Sequence, residues 1–443
     1  MILYTSQTSS RLKYIIYFIE GIISEAIFIT TDKDYFLQSS DSKINYTNSR
    51  LCTEEYHIKP HGLLFENTVE NIKIEVSIRR NNFCFFINEN DSHGFDVFAA
   101  AFYLISRYEE YLPHEKDSYG RYAHINSLAW KNGFLHLPLV NFWLKDLVNN
   151  LSTVNRQPST EYLTPITKKS QHQTPVFTFI PTYDIDIAYA HKHQLILKNV
   201  AGFFKDLMQG NLEKVIERAS VYSGQSADPF DVYDWLNELH KKQTLQPIYF
   251  FLLAEKRGTY DKNISPKANA IKCLIHQHAE KYNIGIHPSW QSGDKEKLLK
   301  QEINQLVQIT QKPCTISRQH YIRFTLPETY RNLISEKIEA DYSMGYGTIN
   351  GFRASVASPF FWYDLETETQ TNLLVHSFCY MDATCIFQQH ISPSEALQAL
   401  QQYLAIVKSV NGEFIIIHHN NFLTLQPQFI EWRNMYEKFL TAN

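Results

Sequence analysis

Titratable residues of this chain collect at a few points, each just after a short apolar run. Thr182-Tyr183-Asp184-Ile185-Asp186 carries two carboxylates at i and i+2, which an extended backbone turns to one face. Like charges that close have their pKa values pushed apart unless a metal or another cation neutralises one. Gly285-Ile286-His287-Pro288-Ser289-Trp290 sends a histidine off an apolar strand into a Pro-Ser turn, a place for a metal ligand or a hydrogen-bonded structural histidine. Ser317-Arg318-Gln319-His320 pairs a cation with a second histidine. Ile417-His418-His419 puts two histidines on one strand, and only one of them can face a given side. Asp341-Tyr342 and Gly351-Phe352-Arg353 add further polar groups. Four such clusters at successive strand ends point to a site built from carboxylates, imidazoles and guanidinium groups.

The elements that must position these residues follow from periodicity. Short strands are expected at 176–180, 248–253, 284–287, 315–320, 373–377 and 414–418. Helices fall between several of them. One opens at Asp228-Pro229, one follows Ser292 with Leu299, Ile303 and Leu306 in phase, and one opens with the capping box Ser392-Pro393-Ser394-Glu395. Strand–helix alternation over some 270 residues implies parallel strands, in a barrel or an open sheet, with chemistry at the C-terminal strand ends. Upstream, strands at 72–78 and 83–87 flank Arg79-Arg80-Asn81-Asn82, and a helix is expected over 95–112. The polar stretch from Ser152 to Pro175 reads as a linker. The division is an α+β domain at 1–152, a linker at 153–175 and an α/β domain at 176–443.

Composition narrows the classes. With 443 residues, 44% of them apolar and 14% aromatic, the chain is neither disordered nor fibrous. A formal charge of −4 argues against nucleic acid or an anionic membrane as an obligatory partner. Six dispersed cysteines without a CxxC pair read as buried free thiols. No secretory signal or membrane span is read from the N-terminal stretch, which gives a cytoplasmic expectation.

From residue 176 onward the chain resembles the polysaccharide deacetylases, the family-four carbohydrate esterases. That resemblance implies a distorted (β/α) barrel, a divalent metal (zinc, with nickel or cobalt as alternatives) and removal of acetyl groups from sugars. It makes Asp184 the general base, Asp186 a metal ligand, Arg318 the group that holds the base and His419 the general acid. The family's His-Ser/Thr-x-x-His motif is only half retained, because Gln291 stands at the second histidine position. A catalytic zinc site takes three protein ligands and an open position. Asp186 and His287 supply two, and His320 is the favoured third, ahead of His191 and His193. Asp382 is expected either to face substrate or to orient His419, and Tyr342 and Arg353 to contact substrate or brace the barrel. A closer resemblance, to bacterial deacetylase-like proteins with an uncharacterised N-terminal domain, rests on Phe98–Tyr111, Arg318-Gln319-His320, 341–346, Gly351-Phe352-Arg353 and 381–384. The implied activity is metal-dependent removal of N-acetyl groups from an amino-sugar-containing glycan or its precursor. The alternatives are a non-catalytic carbohydrate-binding or assembly protein, and a metal amidohydrolase of small cyclic amides.

Overall fold

Four short strands at the start of the chain alternate with helices: β1 (Ile2–Thr5), β2 (Phe28–Thr30), β3 (Lys43–Tyr46) and β4 (Glu55–His57). This is a computed structural model, and it describes residues 1–154, 176–194, 204 and 206–442. The four strands are all parallel, in the order β2-β1-β3-β4. Parallel neighbours need crossovers, and the helices Ser10–Ile23 and Lys33–Gln38 provide them. This part is therefore α/β in its sheet, where the sequence pattern led us to expect α+β. Antiparallel pairing appears in the hairpin of β5 (Ser77–Arg79) and β6 (Asn82–Cys84), whose turn residues Arg80 and Asn81 take φ of 49° and 61°, and in isolated bridges at Ile87–Phe95 and Lys116–Tyr122. The helix expected over 95–112 is shorter. Val97–Ile105 is buried on every face, and the chain breaks at Arg107, where φ is 55°.

A second sheet has nine strands: β7 (Thr178–Ile185), β8 (Ile248–Leu252), β9 (Asn283–His287), β10 (Ile316–Ser317), β11 (Ala340–Met344), β12 (Phe360–Asp364), β13 (Thr369–Ser377), β14 (Tyr380–Met381) and β15 (Glu413–His419). The order is β12-β13-β11-β10-β9-β8-β7-β15-β14, and only the β12–β13 pair is antiparallel. Strands covered on both faces read as continuous apolar runs, as Ile248–Leu252 and Phe414-Ile415-Ile416-Ile417 do. The sheet must curl, because β13 and β14 are two residues apart in sequence yet sit near its opposite ends. The connecting residues bridge the gap: Phe378 N donates to Met344 O of β11 (3.2 Å) and Cys379 N to Ile415 O of β15 (3.3 Å). The result is a strongly curled nine-strand sheet, a half-barrel. β11, β12 and β14 are additions to the expected strand set, and the strand expected over 315–320 pairs only at 316–317.

The helix Leu139–Val154 reaches the start of the expected linker, whose residues 155–175 lie outside the described ones. The two parts of the chain share one hydrophobic core. Polar contacts also run between them. Tyr14 donates to Phe361 O (2.8 Å) and Phe352 N to Leu135 O (2.8 Å). At Gly351, where φ is 142°, an added Cβ would lie 2.7 Å from Leu135 O. A buried ion cluster completes the seam. Glu110 takes Arg107 Nε at 2.7 Å and Arg353 Nε at 2.8 Å, and Arg107 also donates to the Arg353 carbonyl. Of the six free cysteines, Cys84, Cys314, Cys379 and Cys385 are buried. No helix among the described residues is long and apolar enough to cross a membrane.

Candidate active site

Parallel pairing brings the chemistry-bearing strand ends to one rim. His419 of β15 registers with Asp184 of β7, Asp184 with Phe250 of β8, and His287 of β9 with Leu252 of β8. Arg318 follows directly after β10, whose Ser317 registers with Ile286 and Asp341. Strand alternation then decides which side chains face inward. His419 turns into the rim, while His418 stacks on Tyr436 with ring centroids 3.9 Å apart.

Asp186 is the hub. Its Oδ1 lies 3.1 Å from His287 Nε2, and its Oδ2 lies 3.4 Å from His320 Nε2 and 3.6 Å from His419 Nε2. Ligand atoms of Asp186, His287 and His320 all fall within 4.8 Å of one another, a group that could hold a metal ion. The other nitrogen of each ring is already engaged. His287 Nδ1 meets the Arg318 carbonyl at 2.5 Å, His320 Nδ1 meets Asp261 Oδ1 at 3.0 Å, and His419 Nδ1 meets Asp382 Oδ1 at 2.6 Å. A carbonyl only accepts, so His287 must donate from Nδ1, and its neutral form leaves an Nε2 lone pair aimed at a carboxylate. Two acceptors 3.1 Å apart repel unless a proton or a cation lies between them. Asp186 Oδ1 is moreover buried without a hydrogen-bond donor. Donor types and outer partners therefore fit a divalent cation on Asp186, His287 and His320, with the rings oriented as metal-binding histidines usually are.

The electrostatics agree with a centre built to concentrate positive charge. Burial works to raise the Asp186 pKa, but His320, His287 and His419 outweigh it and hold it well below the usual carboxylate range. Burial lowers His320 while Asp186 and Asp261 push it up, to about 9. His419 is likewise penalised by burial, yet Asp382 first and the two site aspartates after it lift it to about 10. Asp184 Oδ1 accepts from Arg318 at 3.0 Å, and the same guanidinium donates to Thr182 Oγ1 (2.6 Å) and Tyr342 O (3.0 Å) over the Phe250 ring.

Other candidates take different places. Asp382 is buried on His419, accepting from both its ring and its backbone N–H (2.7 Å), so it does not face the cleft. Arg353 is no cleft residue, because its Nε and Nη2 donate to buried Glu110 and its Nη1 to the Gly345 carbonyl. Tyr342 offers only its carbonyl to the site, and its ring stacks on His376 at 4.3 Å. Gln291 lines a separate depression with Glu302, His191 pairs with Glu217 at 2.9 Å, and His193 is exposed. The sequence reading missed Asp261, which sits in a polar loop with no pattern to mark it. It also missed Tyr119 and Arg121. These come from the N-terminal part and line a cleft of about 230 Å³ with Asp184, Asp186, His287, His320 and His419.

Against known proteins, residues 1–156 match a family of unknown function, DUF7033. No curated protein matches the chain. Among solved structures, a probable polysaccharide deacetylase from Pseudomonas aeruginosa PAO1 is similar at 12% identity and a TM-score of 0.36, over 63% of this chain and 91% of that one. The polysaccharide deacetylase of Bacillus cereus is similar at 9% identity and TM-score 0.31, over 60% and 88%. A CE4 family pseudoenzyme from Bacillus anthracis is similar at 8% identity and TM-score 0.31, over 62% and 68%. Likenesses this slight do not distinguish an active member from an inactive one.

Proposed function

We propose that this protein is a metal-dependent hydrolase that removes an N-acetyl group from an amino-sugar-containing glycan or glycan precursor. One observation carries the reading: a half-buried carboxylate meets the Nε2 atoms of three histidines whose Nδ1 atoms are already committed elsewhere. Asp186, His287 and His320 would hold the cation, zinc first and nickel or cobalt as alternatives. When bound, it supplies Lewis-acid polarisation of the amide carbonyl. Asp184, fixed by Arg318, accepts the proton of the attacking water as the C–O bond forms. His419, held protonated by Asp382, gives its proton to the amine nitrogen as the C–N bond breaks. The products are acetate and the free amino sugar.

The test is metal analysis of the purified protein followed by acetate release from N-acetylated oligosaccharides. One equivalent of bound metal, and turnover abolished in Asp184→Asn while metal is retained, are expected. Failure to bind zinc, nickel or cobalt at any concentration tried would overturn the proposal.

A further inference from the structure

We infer that Arg121, delivered by the N-terminal part of the chain, determines specificity by binding an anionic group, a carboxylate or a phosphate, on the substrate. This rests on the cleft being the substrate site, as proposed above.

The guanidinium lies in the wall that also carries Asp184, Asp186, His287 and His320. It is built into place. Arg121 is 5% exposed, its Nε donates to Asp117 Oδ2 at 2.7 Å, and one terminal nitrogen donates to Tyr321 O at 2.5 Å. Asp117 is itself fixed, because its Oδ1 accepts the backbone N–H groups of Tyr119 and Arg121. The opposite side is Gly347, where an added Cβ would lie 2.0 Å from the same terminal nitrogen, so only bare backbone leaves room for this cation. An arginine has five N–H donors. Two are used here, and the others have no acceptor among the described residues. A buried guanidinium that keeps open donors in a cleft matches the planar, forked acceptors of a carboxylate or phosphate.

The adjoining backbone is strained in the same place. Tyr321 and Ile322 take φ of 59° and 56°, a left-handed conformation that a β-branched residue such as Ile322 rarely adopts. That turn aims the Tyr321 carbonyl at Arg121. It also stacks the Tyr321 ring on Tyr119 (5.3 Å, 26°), with Arg121 4.7 Å over the Tyr119 ring. The wall thus sets two stacked tyrosine rings beside a cation placed for an acidic substituent.

Calorimetric binding to the full chain provides the test, with three probes: the neutral disaccharide N,N′-diacetylchitobiose, an N-acetylhexosamine–hexuronate disaccharide, and N-acetylhexosamine 1-phosphate. The wild type is expected to bind at least one acidic probe tenfold or more tighter than the neutral one, and which acidic probe wins names the source of the charge. Arg121→Gln should abolish that preference with neutral binding within threefold, and Arg121→Lys should retain part of it. No preference in the wild type, a preference surviving Arg121→Gln, or equal loss on all three probes would overturn the inference. The last outcome would mark Arg121 as merely structural. Because binding is the readout, absence of acetate release would defeat the proposed reaction while leaving this result standing.

Discussion

Glu110 is the carboxylate that bridges two buried guanidinium groups, Arg107 and Arg353, at the seam of the two parts, and its removal has a calculable cost. Burial works to raise its pKa, but Arg353 and Arg107 more than reverse this and hold it at about 2, against an ordinary 4.5. Each tenfold in proton affinity is about 1.4 kcal/mol, so the ion cluster gains about 3 kcal/mol from the ionised carboxylate. Breaking a buried pair by losing one partner costs about 3–5 kcal/mol on general grounds, which agrees. Glu110→Gln should therefore destabilise the protein at pH 7 by about 3 kcal/mol. With an unfolding entropy of about 2.1 cal/mol/K per residue, a single cooperative transition over this length would lower Tm by about 3 °C. Because the folded-state pKa lies below the ordinary one, the stabilisation is fully present above pH 4.5 and is lost as pH falls toward 2. The gap between wild type and variant should accordingly shrink by roughly half at pH 3. Melts followed by circular dichroism at both pH values read this directly. A variant within 1 °C of wild type at pH 7, or a gap that widens in acid, would refute the reasoning.

Three further perturbations separate the roles of the groups around the cleft. Asp261→Asn removes the charged acceptor behind His320 and should weaken zinc binding about 10–100-fold in a chelator competition, with the fold unchanged in a melt. Asp382→Asn should lower kcat by about 10²–10⁴ and move the alkaline limb of the pH–rate profile to lower pH, since burial depresses His419 and Asp382 is the main group raising it. An unmoved limb would show that His419 is not the proton donor. Gly347→Ala drives a methyl group into Arg121 and should erase the preference for acidic probes as Arg121→Gln does, with a melt lowered by about 1–3 kcal/mol of overpacking.

The parts of this fold that were legible in the sequence are the parts whose cause is local. Ser392 and Glu395 form the capping box that their spacing announces, with the Glu395 side chain reaching back to the Ser392 N–H at 2.7 Å. The alternation of Ile417-His418-His419 correctly allows only one histidine inward. Asp228 shows the opposite case. It looks like a helix cap, yet the helix begins at Tyr233, and the carboxylate instead accepts from Ala190, His191 and Lys192, more than 35 positions back. β11 escaped notice because Ala-Asp-Tyr-Ser-Met carries no apolar run. Its buried Asp341 is made tolerable by the local Ser343 N–H at 2.9 Å and by Ser317 Oγ at 2.8 Å, a partner that arrives only once the strands pair. The strand expected through His320 stops at Ser317, since the chain must turn through left-handed Tyr321 to bring His320 toward Asp186.

The same distinction separates the two layers of the site. Asp184, Asp186, His287 and His419 sit at or just past the ends of apolar strands, where a period of two is enough to aim them, whereas His320 is brought in by the turn that follows Ser317. What holds them comes from elsewhere: Asp261 is 59 positions from His320, and Asp382 is 37 from His419. Arg121 is 200 positions from the carbonyl it meets, and Glu110 is 243 from Arg353. No spacing rule reaches that far. The supports also come from both parts of the chain, whereas the inner set comes from the barrel alone. A barrel freed of residues 1–154 would keep every inner carboxylate and histidine. It would nonetheless bare the shared core, strip Arg353 of its counter-charge and leave Tyr321 without the donor that meets its carbonyl. The N-terminal part is thus a wall of the cleft as well as a neighbour of it.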